Sequence, residues 1–510
     1  MLKKTSITVA TLWIAISFNT TAQNITDRID SYYTNLADKG ELNANVLVAE
    51  NGKIIYQKSF GYADFENRRL NNNTSEFNLA SISKVFTAVS ILQLKEKGKL
   101  SLDDNFAKYF PDFPYPTITI RQMLSHTSGL SDQDLSGMWD RHKEKNPDKI
   151  ITNKDLVQVL VAAKASLKLK PGEKWWYCNF AFTLLASLTE KLSGEKFNEY
   201  IDRHIFKPAG MTHTYPKTAL LNVSHSPDLS YNYDYPFRYS NDRINFVGEK
   251  RYYNGIAMGA SDVISTTGDL LKFDIALYNG VLLDSKTLEE AFRPTKLTNG
   301  DDNVIWLNIG GMGKAYDGLG WFIFADTTAG KIVWHTGGMP GCATIFLRNV
   351  SKKQTVIVLD NTNSEGVYKK ALSAMYILNG KPGLIAKKSL TKIYGKALMA
   401  KGADNAFTRL LELKDDTTHY SLIENDMNNL GYEFLENGHT AQALETLKIN
   451  TLLFPQSDNV YNSYGEALEK DNKLPEALLM FKKSIILNPS NEDSKNAVKR
   501  IQTNQTQIKH

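Results

Sequence analysis

The sequence predicts an α+β domain followed by an all-α C-terminal region. Three observations carry this expectation. Apolar runs that suit strands occur early, at 44–64, and again late, between 319 and 360. Segments with helical periodicity lie between them, and early strands, central helices and late strands fit one α+β unit. Beyond about residue 380 the text changes, and the chain matches itself at an offset of 34 residues. A chain of 510 residues is also too long for one ordinary core, so two or three domains are expected.

The first residues read as an export signal. Lys3 and Lys4 precede the apolar run ITVATLWIAISF (7–18), and TTA (20–22) offers the small residues of a cleavage site. The run is short for a membrane span. A signal peptide over 1–22 is expected, with the mature chain starting near Gln23 in the periplasm or outside the cell. No cysteine follows the run, so no lipid anchor is expected, nor any membrane span after signal removal. Hydrophobic content of 42% and charged content of 23% are those of a soluble globular protein. The net charge of +5 is mild for this length, and no basic tract argues for nucleic acid. The two cysteines, Cys178 and Cys342, are too few for a disulfide framework or metal cluster. They suit buried thiols, although an exported protein could pair them.

In chain order, ANVLVAENGKIIYQKSFGYAD (44–64) suits two strands around the Asn51-Gly52 turn. SISKVFTAVSILQLKEKGKL (81–100) has a broad apolar face through Val85, Phe86, Val89 and Leu92, and Gly98 suits a helix stop. Ser81 then falls on the first turn, with Lys84 beside it on the same face. Partial burial lowers a lysine's pKa, and a lysine poised toward neutrality can take a serine proton. The same spacing also suits a capping serine followed by a solvated lysine. EKWWYCNFAFTLLASLTEKLSG (173–194) leads into a second helix that ends near Gly194. Tyr177 and Asn179 are two apart and can face one cleft. The phenol could relay protons beside an ammonium that lowers its pKa, and the amide could hold a carbonyl or orient the lysine. Trp175, Trp176 and Tyr177 could equally be an aromatic cluster with Asn179 as a helix cap. Further helices fit 195–204 and 267–280, and 222–255 suits a long loop. Strands fit 319–326, 331–336, 343–349 and 355–360. In KIVWHTGGMPGCATIFLRN (331–349), His335, Thr336 and the amide of Gly338 could face a bound acyl group, or the segment could be a plain glycine-rich hairpin. His126, His204 and His213 suit structural roles, and no trio of His, Asp and Glu has ligand spacing, so neither metal nor other cofactor is expected.

Taken together and in this order, the motifs resemble those of the serine β-lactamase and penicillin-binding protein superfamily, in its class C and D-alanyl-D-alanine carboxypeptidase/esterase branch. The carriers are LASISKVFTAVSILQLKEKGKLSLDD (79–104), ITIRQMLSHTSGL (118–130), YCN (177–179) and HTGG (335–338), and the similarity spans roughly 25–375. The resemblance implies an antiparallel sheet flanked by helices, with a helical subdomain and a cleft between. It implies Ser81 as nucleophile, Lys84 and Tyr177 sharing the proton work, and Asn179 contacting substrate and Lys84. The amides of Ser81 and Gly338 would form the oxyanion hole, and His335 and Thr336 would flank the substrate's carboxylate. Many β-lactamases of the superfamily carry lysine where His335 stands. A histidine, mostly neutral at pH 7, would bind a carboxylate weakly and pH-dependently. That lowers the expectation of efficient β-lactam hydrolysis and leaves peptidase or esterase chemistry open.

The 34-residue match aligns 430–457 with 464–491, so that Gly431 meets Gly465, Ala443 meets Ala477 and Pro455 meets Pro489. This resembles tetratricopeptide repeats, each a helical hairpin. The expected domains are a hydrolase domain over 23–378, capping helices over 379–423, two repeats over 424–491 and a final helix and tail over 492–510. The repeats could bind a protein partner or simply pack. The leading function is an exported serine hydrolase acting through an acyl-enzyme on a D-amino-acid peptide, a β-lactam or a small acyl ester. The alternative is a non-hydrolytic penicillin-binding sensor or scaffold acting through its repeats.

Overall fold

A computed structural model describes residues 24–132, 144, 151–163, 166–217, 226–246 and 257–508. The export signal expected at 1–22 lies outside these residues, as do both ends of the loop expected at 222–255. The chain forms two units. The first is residues 1–234 with 245–384, and the second is 385–510 with the short segment Tyr235–Ile244.

The first unit is built on one eight-stranded sheet. Its strands are β1 (Ala44–Glu50), β2 (Lys53–Ser59), β3 (Val304–Ile305), β4 (Ala315–Asp317), β5 (Phe322–Phe324), β6 (Ile332–Met339), β7 (Cys342–Asn349) and β8 (Gln354–Asp360). They lie in the order β3-β4-β5-β6-β7-β8-β1-β2, every pair antiparallel. The first and last strands of the sheet in sequence are thus neighbours, with Leu47 paired to Ile357.

Side chains alternate across a strand, so each central strand feeds two cores. Leu47, Ala49, Phe346, Ile357 and Leu359 point into one. Helices α1 (Ser83–Glu96), α2 (Asn179–Ser193) and α3 (Thr267–Tyr278) fill that side with Phe86, Val89, Phe182, Leu185 and Phe273. Val46, Val48, Ile345, Leu347, Val356 and Val358 point into the other. There they meet Ile29 and Tyr33 from a helix at 24–38, and Ala371, Leu372 and Met375 from α4 (Val367–Leu378). Burial on both faces explains why β7 and β8 read as nearly continuous apolar runs. Both cysteines are free and buried.

The second unit is helical: α5 (Leu390–Lys401), α6 (Ala403–Leu413), α7 (Glu424–Glu436), α8 (Thr440–Leu453), α9 (Asp458–Lys470), α10 (Leu474–Leu487) and α11 (Glu492–Ile508). The 34-residue offset has a direct packing meaning. A Cβ on Gly431 would sit 2.5 Å from Leu447, and one on Gly465 would sit 2.8 Å from Phe481. Each glycine lets the two helices of a hairpin approach closely. Tyr239, from the short Tyr235–Ile244 segment, is buried in this helical core and stacks on Phe434 with ring centroids 4.4 Å apart. Arg238 is paired with Glu433 next to it. Among the described residues no helix is long and apolar enough to cross a membrane.

Candidate active site

Ser81 lies in a single 3₁₀ turn, Ala80–Ile82, that runs into α1. Ala80 has φ of +47°, a conformation that costs a residue with a Cβ about 1–3 kcal/mol. Its N–H donates to Asn78 Oδ1 at 2.9 Å, which helps hold the turn. The turn is pinned from the sheet side as well. Thr344 Oγ1 donates to the Leu79 carbonyl at 2.8 Å, and the Cys342 thiol donates to the Asn78 carbonyl at 3.0 Å. Gly337 makes this approach feasible, because a Cβ there would lie 2.1 Å from Leu79 O and 2.3 Å from Thr344 Oγ1. The sequence expectation ended the strand near Thr336, whereas β6 continues through both glycines to Met339. The chain before Ser81 is thereby laid along Gly337.

Lys84 is fully buried, with 0% exposure. Its Nζ lies 3.1 Å from Ser81 Oγ, 2.7 Å from Asn179 Oδ1 and 2.8 Å from the Ala260 carbonyl. Burial pulls its pKa down to about 7, against the opposing pull of Asp132 and Asp262. The three partners give this number a chemical meaning. A neutral amine has two N–H groups and one lone pair. Asn179 Oδ1 and Ala260 O are acceptors only and take the two N–H groups, which turns the lone pair toward the Ser81 hydroxyl.

Tyr177 hydrogen-bonds Ser81, and its ring centroid lies 5.0 Å from Lys84 Nζ. The expectation of a phenol made more acidic by the ammonium is corrected here. Burial raises the Tyr177 pKa far above the ordinary range, and the Ser81 hydrogen bond offsets this only in part. Tyr177 is therefore an O–H at any working pH, suited to donating a hydrogen bond rather than to serving as a phenolate base.

His335 is corrected in the same way. It is 1% exposed, stacks on Phe322 at 4.8 Å, and its Nδ1 meets the Thr336 carbonyl at 2.7 Å. Burial first, then the nearby Lys84, lower its pKa to about 3. The imidazole is neutral throughout the physiological range and does not titrate near pH 6–7. Thr336 is also buried, and Gly338 is exposed on the same strand.

Asp132 escaped sequence reasoning. Its carboxylate accepts from Asn179 N and Nδ2, both at 2.8 Å, from Phe180 N at 3.0 Å and from the Cys178 thiol at 3.4 Å. It caps α2 and fixes the amide whose oxygen holds Lys84. Asp262, whose Oδ1 accepts from the amides of Gly259, Ala260 and Ser261, shapes the turn that presents the Ala260 carbonyl. An aspartate six residues after His126 carries no local signal of such a role. His126 supports the same wall: its Nδ1 accepts from Cys178 N at 3.2 Å, and its ring lies 4.2 Å from that of Tyr177. His204 pairs with Glu195, and His213 lies 3.6 Å from Glu76, both away from this cluster.

The Beta-lactamase family model matches residues 23–376. A penicillin-binding protein of Bacillus subtilis (strain 168) is 35% identical over 368 residues, 71% of this chain and 77% of its own length. Among solved structures, a penicillin-binding protein from Bacillus halodurans superposes with a TM-score of 0.55 at 24% identity, over 68% of this chain and 99% of its own. EstCE1, a hydrolase with promiscuous acyltransferase activity, gives a TM-score of 0.56 at 20% identity, over 70% of this chain and 99% of its own. These two likenesses speak to the fold. On the family match and the Bacillus subtilis relative, the chain belongs to the Beta-lactamase family of serine hydrolases and penicillin-binding proteins.

Proposed function

We propose that this protein is an exported serine hydrolase that forms an acyl-enzyme on Ser81 and prefers small acyl esters and D-amino-acid amides to β-lactams. The observation that carries the reading is the buried Lys84 amine, 3.1 Å from Ser81 Oγ, with its two N–H groups committed to Asn179 and Ala260. In acylation, Lys84 takes the Ser81 proton as Oγ attacks the carbonyl carbon. The oxyanion is received by the N–H groups of Ser81 and Gly338. The tetrahedral intermediate collapses as Lys84, through the Tyr177 hydroxyl, returns the proton to the departing oxygen or nitrogen. A water then follows the same path in reverse, with Tyr177 and Lys84 removing its proton, and Ser81 is freed. Asn179 holds Lys84 and the substrate, and Thr336 lines the acyl site.

The neutral His335 supports the substrate preference. Strand β6, Ile332–Met339, carries no lysine or arginine, so a carboxylate placed beside Thr336 gains no ion pair from it. The D-stereospecific amidohydrolase from Streptomyces among the structural neighbours has the same fold, at a TM-score of 0.51. Export rests on the sequence of residues 1–22 alone. The test is intact-protein mass spectrometry after incubation with separate aryl-ester, D-alanyl-peptide and β-lactam probes. Fast turnover of the ester or peptide with slow or absent β-lactam turnover is expected. An acyl adduct anywhere other than Ser81, or β-lactam turnover faster than the ester, overturns the reading.

A further inference from the structure

A tryptophan shelf stands beside the reaction centre and has no role in the steps above. Trp306 follows β3 and is 49% exposed, and Leu307 after it is 42% exposed. Exposed apolar groups that adjoin one another offer a surface on which a ligand can be received. The shelf is rigidly mounted. Trp306 Nε1 donates to the Trp175 carbonyl at 3.0 Å. Trp175 is buried, and its own Nε1 donates to Asp317 Oδ2 at 2.8 Å. The Trp176 and Trp306 rings lie 6.1 Å apart and tilted by 31°. Trp176 immediately precedes Tyr177, so the shelf begins one residue from the phenol that meets Ser81.

The same loop reaches the other side of the centre. Gly310 packs on the ring of Tyr368, where an added Cβ would lie 2.3 Å from Cδ2. The Tyr368 hydroxyl donates to the Gly337 carbonyl at 2.9 Å, and a Cβ on Gly338 would meet that hydroxyl at 3.2 Å. The stretch 306–310 thus runs from the neighbour of Tyr177 to the neighbour of Gly338.

Lys174 Nζ lies 5.4 Å from the Trp306 ring centroid, and Lys168 Nζ lies 5.6 Å from that of Trp176. Among the described residues neither ammonium has a carboxylate partner. Glu173, the nearest acid in sequence, accepts from the Lys170 amide at 3.0 Å. Two indole faces offer stacking to a flat or pyranose ring, and two unpaired ammoniums offer charge to an anion on it.

We propose that Trp176, Trp306, Lys168 and Lys174 form a subsite for an anionic ring, an aryl or sugar group bearing a carboxylate, carried on the substrate of Ser81. The proposal rests on the hydrolase reading for its connection to turnover, but not for binding. It places the substrate's negative charge at the shelf and not beside His335.

Two measurements test it. The first compares kcat/KM for a series of 4-nitrophenyl esters with acetyl, phenylacetyl, 4-carboxyphenylacetyl and glucuronyl-linked acyl groups. The carboxylate-bearing ring esters should exceed phenylacetyl by about tenfold. Trp306→Ala and the pair Lys168→Gln with Lys174→Gln should erase that preference through KM, while acetyl-ester turnover stays unchanged. Which of the two rings gains more identifies the source chemistry. The second follows tryptophan fluorescence on titration with 4-carboxyphenylacetate and with glucuronate, in the wild type and in Ser81→Ala. Quenching in both, weakened by salt and lost in Trp306→Phe and in the double lysine variant, is expected. Equal kcat/KM for charged and uncharged rings, or quenching indifferent to the lysines, overturns the subsite. Failure to acylate Ser81 with intact lysine-dependent quenching overturns the hydrolase reading and leaves the subsite standing.

Discussion

Lys84 meets Ser81 Oγ, Asn179 Oδ1 and Ala260 O, so its protonation decides whether Ser81 accepts a hydrogen bond or donates one. With the amine near pKa 7, kcat/KM for a neutral ester should rise about tenfold per pH unit below 7 and level off above it. His335, near 3, and Tyr177, far above 10, add no inflection between pH 5.5 and 8.5. A profile with a second inflection in that window would contradict the burial of one of them. The groups facing Lys84 set the position of the limb: burial pulls its pKa down, and the carboxylates of Asp132 and Asp262 push it up. Asp132→Asn removes one upward push, so the limb should move to lower pH. A drop in kcat of about tenfold should accompany it as Asn179 loses its anchor. An unmoved limb would show that the Asp132 charge is not felt at Lys84. Ser81→Ala should cost about 10⁴-fold or more in turnover with an unchanged thermal midpoint. At this scale the motif residues were legible because each pairs a reactive group with a recognisable local element. Asp132 and the Ala260 carbonyl were not, because their roles exist only after α1, α2 and the 259–262 turn have been packed together. The ionisation of Tyr177 and His335 was misjudged for the same reason: spacing reveals neighbours, but not how completely water is excluded.

At the scale of elements, the contact between the Ala80–Ile82 turn and β6 is the most sensitive joint in the site. Gly337→Ala would drive a methyl group into Leu79 O, a backbone atom that cannot rotate away. The turn would be displaced from β6, and Ser81 with it. A loss of about 10²-fold in kcat is expected, together with about 1–3 kcal/mol of stability. Gly338→Ala is the control, since its nearest atom is the Tyr368 hydroxyl at 3.2 Å. Equal kcat in the two variants would show that the joint does not govern Ser81. The long elements were legible, and the helix expected to end near Gly194 is found at Asn179–Ser193. The 24–38 helix was missed because its buried Ile29 and Tyr33 are embedded in charged and polar residues. Strands β3 and β4, two and three residues long, are too short to show a period of two, and the sheet edge they form appears only through pairing. Within 379–423, where capping helices were expected, α5 and α6 meet at Gly402, whose φ of +83° ends the first.

At the scale of the whole molecule, every residue assigned to the chemistry belongs to the first unit, yet that unit's sequence is interrupted by Tyr235–Ile244. Removing 385–510 takes away the helices that bury Tyr239 and cover Phe237. The truncated chain should keep acetyl-ester kcat within about threefold in its soluble fraction but aggregate on concentration. Phe237→Ser with Tyr239→Ser in the truncated chain should restore solubility without altering kcat. A soluble, folded and inactive truncation would show that the helices complete the site. The interruption also sets an order of events during synthesis. Tyr239 leaves the ribosome roughly 200 residues before Phe434, an interval of roughly 10–40 s at about 5–20 residues per second. Through that interval the aromatic segment lacks Phe434, and β3 to β8, at 304–360, are themselves made only partway through it. The earliest product of translation therefore carries its own docking peg before either the socket or the board exists, and the chain depends on holding that peg apart from its siblings until the last helices arrive.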